Sequence, residues 1–99
     1  MRVKDNSIRV GGIRPELLIA VMVANEVYTE IGKELVITSV TDGKHSGTSL
    51  HYTGCAFDCR IYDDSDMEFV ITKIKDRLKI DYDVVLEGNH IHIEYQPRK

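Results

Sequence analysis

The order of apolar and polar residues along the chain predicts two helices. Apolar side chains recur at helical spacing from Glu16 to Ile31. Pro15 suits the first turn of a helix, and Gly32 is typical of a residue that ends one. A second apolar face runs from Met67 to Leu78, and Ser65-x-x-Glu68 at its start has the spacing of a capping box. We expect the first helix to be the most buried, because further apolar residues widen its surface: Ile19, Met22, Val23 and Val27.

Short runs rich in β-branched residues predict the strands. The pair Gly88-Asn89 separates two such runs and is typical of a hairpin turn. The order β, α, β, β, α, β, β predicts an α+β domain, with a small central antiparallel sheet and both helices packed on one face. The expected strands are Ser7 to Val10, Glu34 to Val40, Ala56 to Ile61, and the hairpin formed by Asp81 to Asn89 and His90 to Tyr95.

The predicted hairpin brings three polar side chains together. If Gly88 and Asn89 form the loop, Glu87 pairs with His90 and Val85 pairs with His92. Since side chains alternate along a strand, the carboxylate and both imidazoles then project from one face. The commoner interpretation of such residues is a solvated polar face.

A second segment also offers metal-binding side chains. His51 and Asp58 lie on either side of Gly54, far from the His-x-His of residues 90–92. Zinc binds imidazole nitrogen and carboxylate oxygen with about four ligands, and catalytic sites keep one position for water. Two distant segments with these donors indicate a mononuclear zinc site. A solvated hairpin face alone would leave His51 and Asp58 unexplained.

These residues carry a resemblance to a known superfamily. Ser-x-His-x-x-Gly-x-Ala-x-Asp over residues 49–58, followed by His-x-His, resembles the Hedgehog/D-Ala-D-Ala-peptidase superfamily of zinc peptidases that cut peptidoglycan peptides. The match is closest to the Hedgehog signalling domain and to small peptidase M15-like proteins of phages and bacteria. It covers Val36 to about Tyr95, about 60 of the 99 residues, and the resemblance implies the same α+β architecture.

The resemblance also implies roles for individual residues. His51, Asp58 and His92 would bind Zn²⁺, with His90 beside the metal. Glu87 occupies the position of the catalytic carboxylate and is the expected general base. His90 would stabilise the oxyanion or orient the water, and His45 is a further candidate for that task, although a solvated loop histidine is an equal alternative.

Two departures from the superfamily affect these expectations. Many of its carboxypeptidases have Glu-x-x-His with that histidine as ligand, which here would select His90 in place of His92. They also carry Ser-Gly-Tyr-Arg where this chain has Ser39-Val-Thr-Asp42, so the arginine that would hold a terminal carboxylate is missing. We therefore expect cleavage of internal stem or cross-link bonds over a terminal D-Ala.

The cysteines, Cys55 and Cys59, flank Asp58 closely. In an extended segment their Cα atoms would be roughly 13 Å apart, beyond the limit of about 7 Å for a disulfide. Alternation places both on the strand face opposite Asp58, and we interpret them as core residues. An alternative zinc site that uses one of these thiols stays open.

Composition narrows the classes of function. A length of 99 residues with 42% hydrophobic composition indicates one domain over residues 1–99. The net charge of −3 comes from interspersed charges, which argues against nucleic-acid binding.

No apolar run reaches the length of about 18 residues that a membrane span needs. No apolar run follows Met1-Arg-Val-Lys, so we expect no signal peptide, synthesis in the cytoplasm, and separate delivery if the protein acts on a cell wall.

The sequence thus predicts a monomeric zinc metallopeptidase that hydrolyses peptidoglycan peptides through a metal-activated water. A catalytically inactive, zinc-bearing binding module of Hedgehog type is the alternative, because fold and ligands alone do not separate the two. A third interpretation, in which no metal binds, would require both motifs to arise by chance.

Overall fold

The computed structural model describes residues 1–4, 15–41 and 56–96. The pattern-based prediction of an α+β fold is confirmed, with two helices and a five-stranded sheet. In chain order the elements are β1 (Arg2–Val3), α1 (Pro15–Glu30), β2 (Val36–Thr41), β3 (Ala56–Arg60), α2 (Asp64–Leu78), a 3₁₀ turn (Lys79–Asp81), β4 (Tyr82–Glu87) and β5 (His90–Tyr95).

The sheet is mixed, so the prediction of an all-antiparallel sheet was wrong at one edge. Its strand order is β1-β2-β3-β5-β4, and β1 runs parallel to β2 while the other neighbours are antiparallel. Parallel neighbours need a long crossover between them, and α1 lies in that connection. Backbone bonds from Arg2 N to Leu35 O (2.9 Å) and from Lys4 N to Ile37 O (2.8 Å) hold the edge. The predicted strand at Ser7 to Val10 lies outside the described residues.

One face of the sheet and both helices enclose the core. Phe57 and Cys59 of β3 and Ile91 and Ile93 of β5 are buried there. They belong to one apolar cluster with residues of α1 and α2. Burial of these side chains is the main term that stabilises the fold, at about 25 cal/mol per Å² of apolar surface. The opposite sheet face is left for polar groups. The helical members of the cluster are Leu17, Ala20, Val21, Ala24, Val27, Tyr28, Met67, Val70, Ile74 and Leu78.

The first helix ends where its sequence predicts, but its buried surface is narrower than the apolar pattern predicts. Gly32 follows α1 with φ 73°, a conformation that favours glycine and ends helices. Val27 is buried as expected. Ile19 is 53% exposed and Met22 is 68% exposed, so their expected contribution to the core was wrong. Only one stripe of a helix can contact a sheet and a single neighbouring helix.

The second helix begins earlier than the predicted capping box. Asp63, two residues before Ser65, is the N-cap in extended conformation, with φ −65° and ψ 143°. Its backbone oxygen accepts the first helical bond from Met67 N at 3.0 Å. The capping box at Ser65 was therefore wrong. Negative charge from Asp63 and Asp66 still suits the positive end of the helix dipole.

No helix among the described residues is both long enough and apolar enough to cross a membrane.

Candidate metal centre

The closing hairpin has the predicted register. Glu87 pairs with His90 and Val85 pairs with His92 across β4 and β5. Gly88 in the turn has φ 55°, the left-handed conformation that a two-residue hairpin loop requires. Because β5 alternates, Ile91 and Ile93 enter the core while the histidines project from the other face.

Strand β3 brings Asp58 to the same face. Asp58 pairs directly with His92 of β5, and its neighbours Phe57 and Cys59 are buried on the opposite face. A slip of one residue would exchange the two faces and bury the carboxylate, so the apolar neighbours fix where Asp58 lies. Tyr28 of α1 supports this strand, since its hydroxyl donates a 2.7 Å hydrogen bond to the backbone oxygen of Arg60.

Asp58 and His92 are in direct contact on this face. Asp58 Oδ1 lies 2.7 Å from His92 Nδ1, and His92 Nε2 lies 3.0 Å from Glu94 Oε1. Ionised carboxylate oxygens only accept hydrogen bonds, so each of these contacts is a hydrogen bond when the ring nitrogen that it joins carries a proton.

The electrostatics of the His92 ring follow from these contacts. Burial by itself lowers the pKa of His92, but the hydrogen bonds to Glu94 and Asp58 outweigh it, and the pKa is raised. The hydrogen bond from His92 in turn lowers the pKa of Glu94, against the opposing effect of burial. The ring is therefore held between two carboxylates, each of which stabilises its positive charge.

His90 forms a second pair beside the first. Its Nε2 lies 3.3 Å from Glu87 Oε1 and 3.8 Å from Asp58 Oδ2, and its Nδ1 lies 3.0 Å from Asn89 Oδ1. His90 is thus more than an ångström farther from the Asp58 carboxylate than His92 is. Of the two histidines, His92 is the one in direct contact with the Asp58 carboxylate.

The four described side chains of the predicted site can be reached from solvent. The side chains of Asp58 and His92 are 23% and 26% exposed, and that of Glu87 is 51% exposed. The inner pair is sheltered enough for strong electrostatic contacts, while Glu87 lies at the rim.

The donor set fits part of a zinc site. Within residues 1–4, 15–41 and 56–96, no three His, Cys, Asp or Glu side chains are grouped to hold a metal ion. Asp58 Oδ1 and His92 Nδ1 are the kinds of donor atom that zinc prefers, and they already face each other. The predicted third ligand, His51, lies outside the described residues, as does the catalytic candidate His45.

Cys59 does not fit the alternative zinc site in which a cysteine is a ligand. Its thiol is buried among core residues on the face opposite Asp58, 3.5 Å from the Tyr28 hydroxyl. Burial raises the pKa of Cys59 to about 12, so the thiolate that zinc requires is disfavoured. Cys59 is the core residue that its sequence position predicts. Cys55 lies outside the described residues.

Glu94 and Gln96 join the site without having been predicted. Glu94 lies two positions after His92, and the two-residue period of a strand places it on the same face. That period was the available signal. Gln96 donates a hydrogen bond from Nε2 to Glu94 Oε2, and no strand pattern points to it because it follows β5.

Comparison with protein-family models, curated proteins and solved structures found no match to this chain.

Proposed function

We propose that this protein is a zinc-dependent peptidase that hydrolyses peptide bonds of peptidoglycan. The observation that carries the proposal is the 2.7 Å contact between Asp58 Oδ1 and His92 Nδ1, with the Glu87 and His90 pair beside it on one sheet face. The four side chains of Asp58, His92, Glu87 and His90 share one face, and this supports the proposal. The motif over residues 49–58, which resembles that of zinc peptidases, supplies the rest of the assignment.

His51, Asp58 and His92 are the proposed ligands. Bound zinc would lower the pKa of a water molecule and polarise a scissile carbonyl. Asp58 and His92 come from neighbouring central strands, so their separation is set by the sheet and not by a loop. A ligand pair on rigid elements holds its geometry without a large ordering cost when the metal binds.

Glu87 is the proposed proton carrier. Its carboxylate is exposed at the rim of the site and lies within reach of His90, with Oε1 3.3 Å from Nε2. A carboxylate in that position takes a proton from the attacking water and returns it to the leaving amine. The His90 imidazole lies between this carboxylate and Asp58, where a donated hydrogen bond would stabilise negative charge on the substrate oxygen.

Internal bonds of the stem or cross-link peptides are the proposed targets. Residues 39–42 lack the arginine that carboxypeptidases of the resembled superfamily use for a terminal carboxylate.

Digestion of purified peptidoglycan tests the proposal. The zinc-loaded protein should release fragments whose masses show hydrolysis within stem or cross-link peptides, and a chelator should stop the release. Intact peptidoglycan and intact stem peptides after prolonged incubation with zinc-loaded protein would contradict it, and would favour a zinc-bearing binding module.

A further inference from the structure

Glu94 contacts His92, although Glu94 is neither a proposed zinc ligand nor the proposed proton carrier. It lies on β5, and its Oε1 is 3.0 Å from His92 Nε2. This nitrogen is the one that points away from Asp58, since Asp58 Oδ1 faces His92 Nδ1 at 2.7 Å. The two carboxylates therefore hold the ring of His92 from opposite sides.

The Glu94 carboxylate is itself held in place. Its second oxygen accepts a hydrogen bond from Gln96 Nε2. The backbone nitrogen of Gln96 donates to Asp81 O at 2.7 Å, which ties the end of β5 to the turn before β4. With one oxygen bound to His92 and the other to Gln96, the carboxylate has a fixed orientation toward the ring.

We propose that Glu94 is a positioning residue of the metal centre: it holds a proton on His92 Nε2 and leaves Nδ1, the nitrogen beside Asp58, to bind the metal. This inference rests on the proposed function. A histidine that binds a metal usually donates its other N–H to a carboxylate or carbonyl, which fixes the ring and increases its basicity as a ligand. The chain from Gln96 through Glu94 to His92 has the parts of such an arrangement.

Glu94 is separate from the proposed chemistry at Glu87. Its contacts are to His92 and Gln96, whereas Glu87 contacts His90 at the hairpin end. Loss of the Glu94 carboxylate should therefore lower the affinity for zinc without removing the group proposed to transfer the proton. This difference allows the two carboxylates to be tested separately.

Zinc affinity of matched variants, measured by competition with a chelator, tests the assignment. Glu94→Ala should weaken zinc binding by about 10- to 100-fold, and Glu94→Gln, which keeps an acceptor oxygen, should fall between it and the wild type. Asp83→Asn is the control because Asp83 pairs with Glu94 across β4 and β5, so it removes one negative charge close by. That control should bind zinc as the wild type does.

A second measurement separates positioning from general support of the fold. Long-range ¹H–¹⁵N spectra of the zinc-loaded wild type should show His92 protonated at Nε2 and metal-bound at Nδ1. Urea unfolding of the zinc-free variants shows whether they fold. If Glu94→Ala does not fold, the zinc affinity of Glu94→Gln and the spectrum of the wild type still test the role of Glu94.

The outcomes distinguish this inference from the proposed function. Equal zinc affinity in the wild type and the folded Glu94 variants, or a zinc-bound His92 protonated at Nδ1, would overturn the role of Glu94 and leave hydrolysis standing. Zinc binding that depends on Glu94 in a protein that cleaves no peptidoglycan would uphold Glu94 and overturn the peptidase. A wild type that binds no zinc would overturn both.

Discussion

The buried thiol of Cys59 makes the stability of the domain depend on alkaline pH. Burial raises the pKa of Cys59 from 9.0 to about 12, and the thiol lies in the core one residue after Asp58. In the unfolded chain this thiol loses its proton as pH rises through 9.0, whereas in the folded chain it keeps it up to about 12. The unfolded state then binds fewer protons, so the free energy of unfolding falls as pH rises.

The size of this effect follows from the two pKa values. One pKa unit corresponds to about 1.4 kcal/mol. At pH 10, one unit above the unfolded value and well below the folded one, Cys59 alone should have lowered the free energy of unfolding by about 1.4 kcal/mol relative to pH 8. With a urea m value of about 2 kcal/mol per M, the unfolding midpoint should fall by about 0.7 M.

Urea unfolding of the wild type and of Cys59→Ala at pH 8 and pH 10 measures this effect. The variant loses buried atoms and should be less stable at both values. Its loss between pH 8 and pH 10 should nevertheless be smaller than that of the wild type by the amount above, because Tyr28 and the other titrating groups are common to both. Equal losses in the two proteins would refute the buried, protonated thiol. Loss of zinc from a folded Cys59→Ala variant would mean that Cys59 is a zinc ligand after all.

Two further predictions concern the site and its support. Purified protein should carry about one zinc per chain, and metal analysis should show its loss in Asp58→Ala and His92→Ala but not in His90→Ala; the reverse result for the histidines would mean that His90 is the ligand. Tyr28→Phe removes the part-buried hydrogen bond to the backbone oxygen of Arg60 and should lower the free energy of unfolding by about 0.5–1.5 kcal/mol, whereas an unchanged urea midpoint would show that this hydrogen bond contributes nothing to the fold.

The features that the sequence predicted well are governed by local rules. A two-residue turn fixes the pairing of a hairpin, so the register of Glu87 with His90 follows from Gly88 and Asn89. Alternation then assigns each side chain of β5 to a face. The same rule predicts that Asp58 and Cys59 lie on opposite faces of β3, as they do.

The features that it missed depend on distant parts of the chain. Strand β1 has only two residues, and its parallel pairing is set by backbone groups of Leu35 and Ile37. The exposure of Ile19 and Met22 depends on which side of α1 packs against the rest of the core, and the apolar pattern of α1 does not contain that information. Strand alternation places Glu94 on the face of His92, but the 3.0 Å contact between the two side chains depends on their conformations, which the sequence pattern does not contain.

Cleavage by Glu87→Gln at matched zinc content tests the proposed peptidase most directly. The substitution keeps the size and hydrogen-bonding capacity of the side chain and removes its basicity. We expect unchanged zinc content, an unchanged urea midpoint, and cleavage of a peptidoglycan cross-link peptide slower by a factor on the order of 10² or more. Cleavage by Glu87→Gln as fast as by the wild type would contradict the role of Glu87, and the absence of cleavage by a zinc-loaded wild type would contradict the peptidase itself.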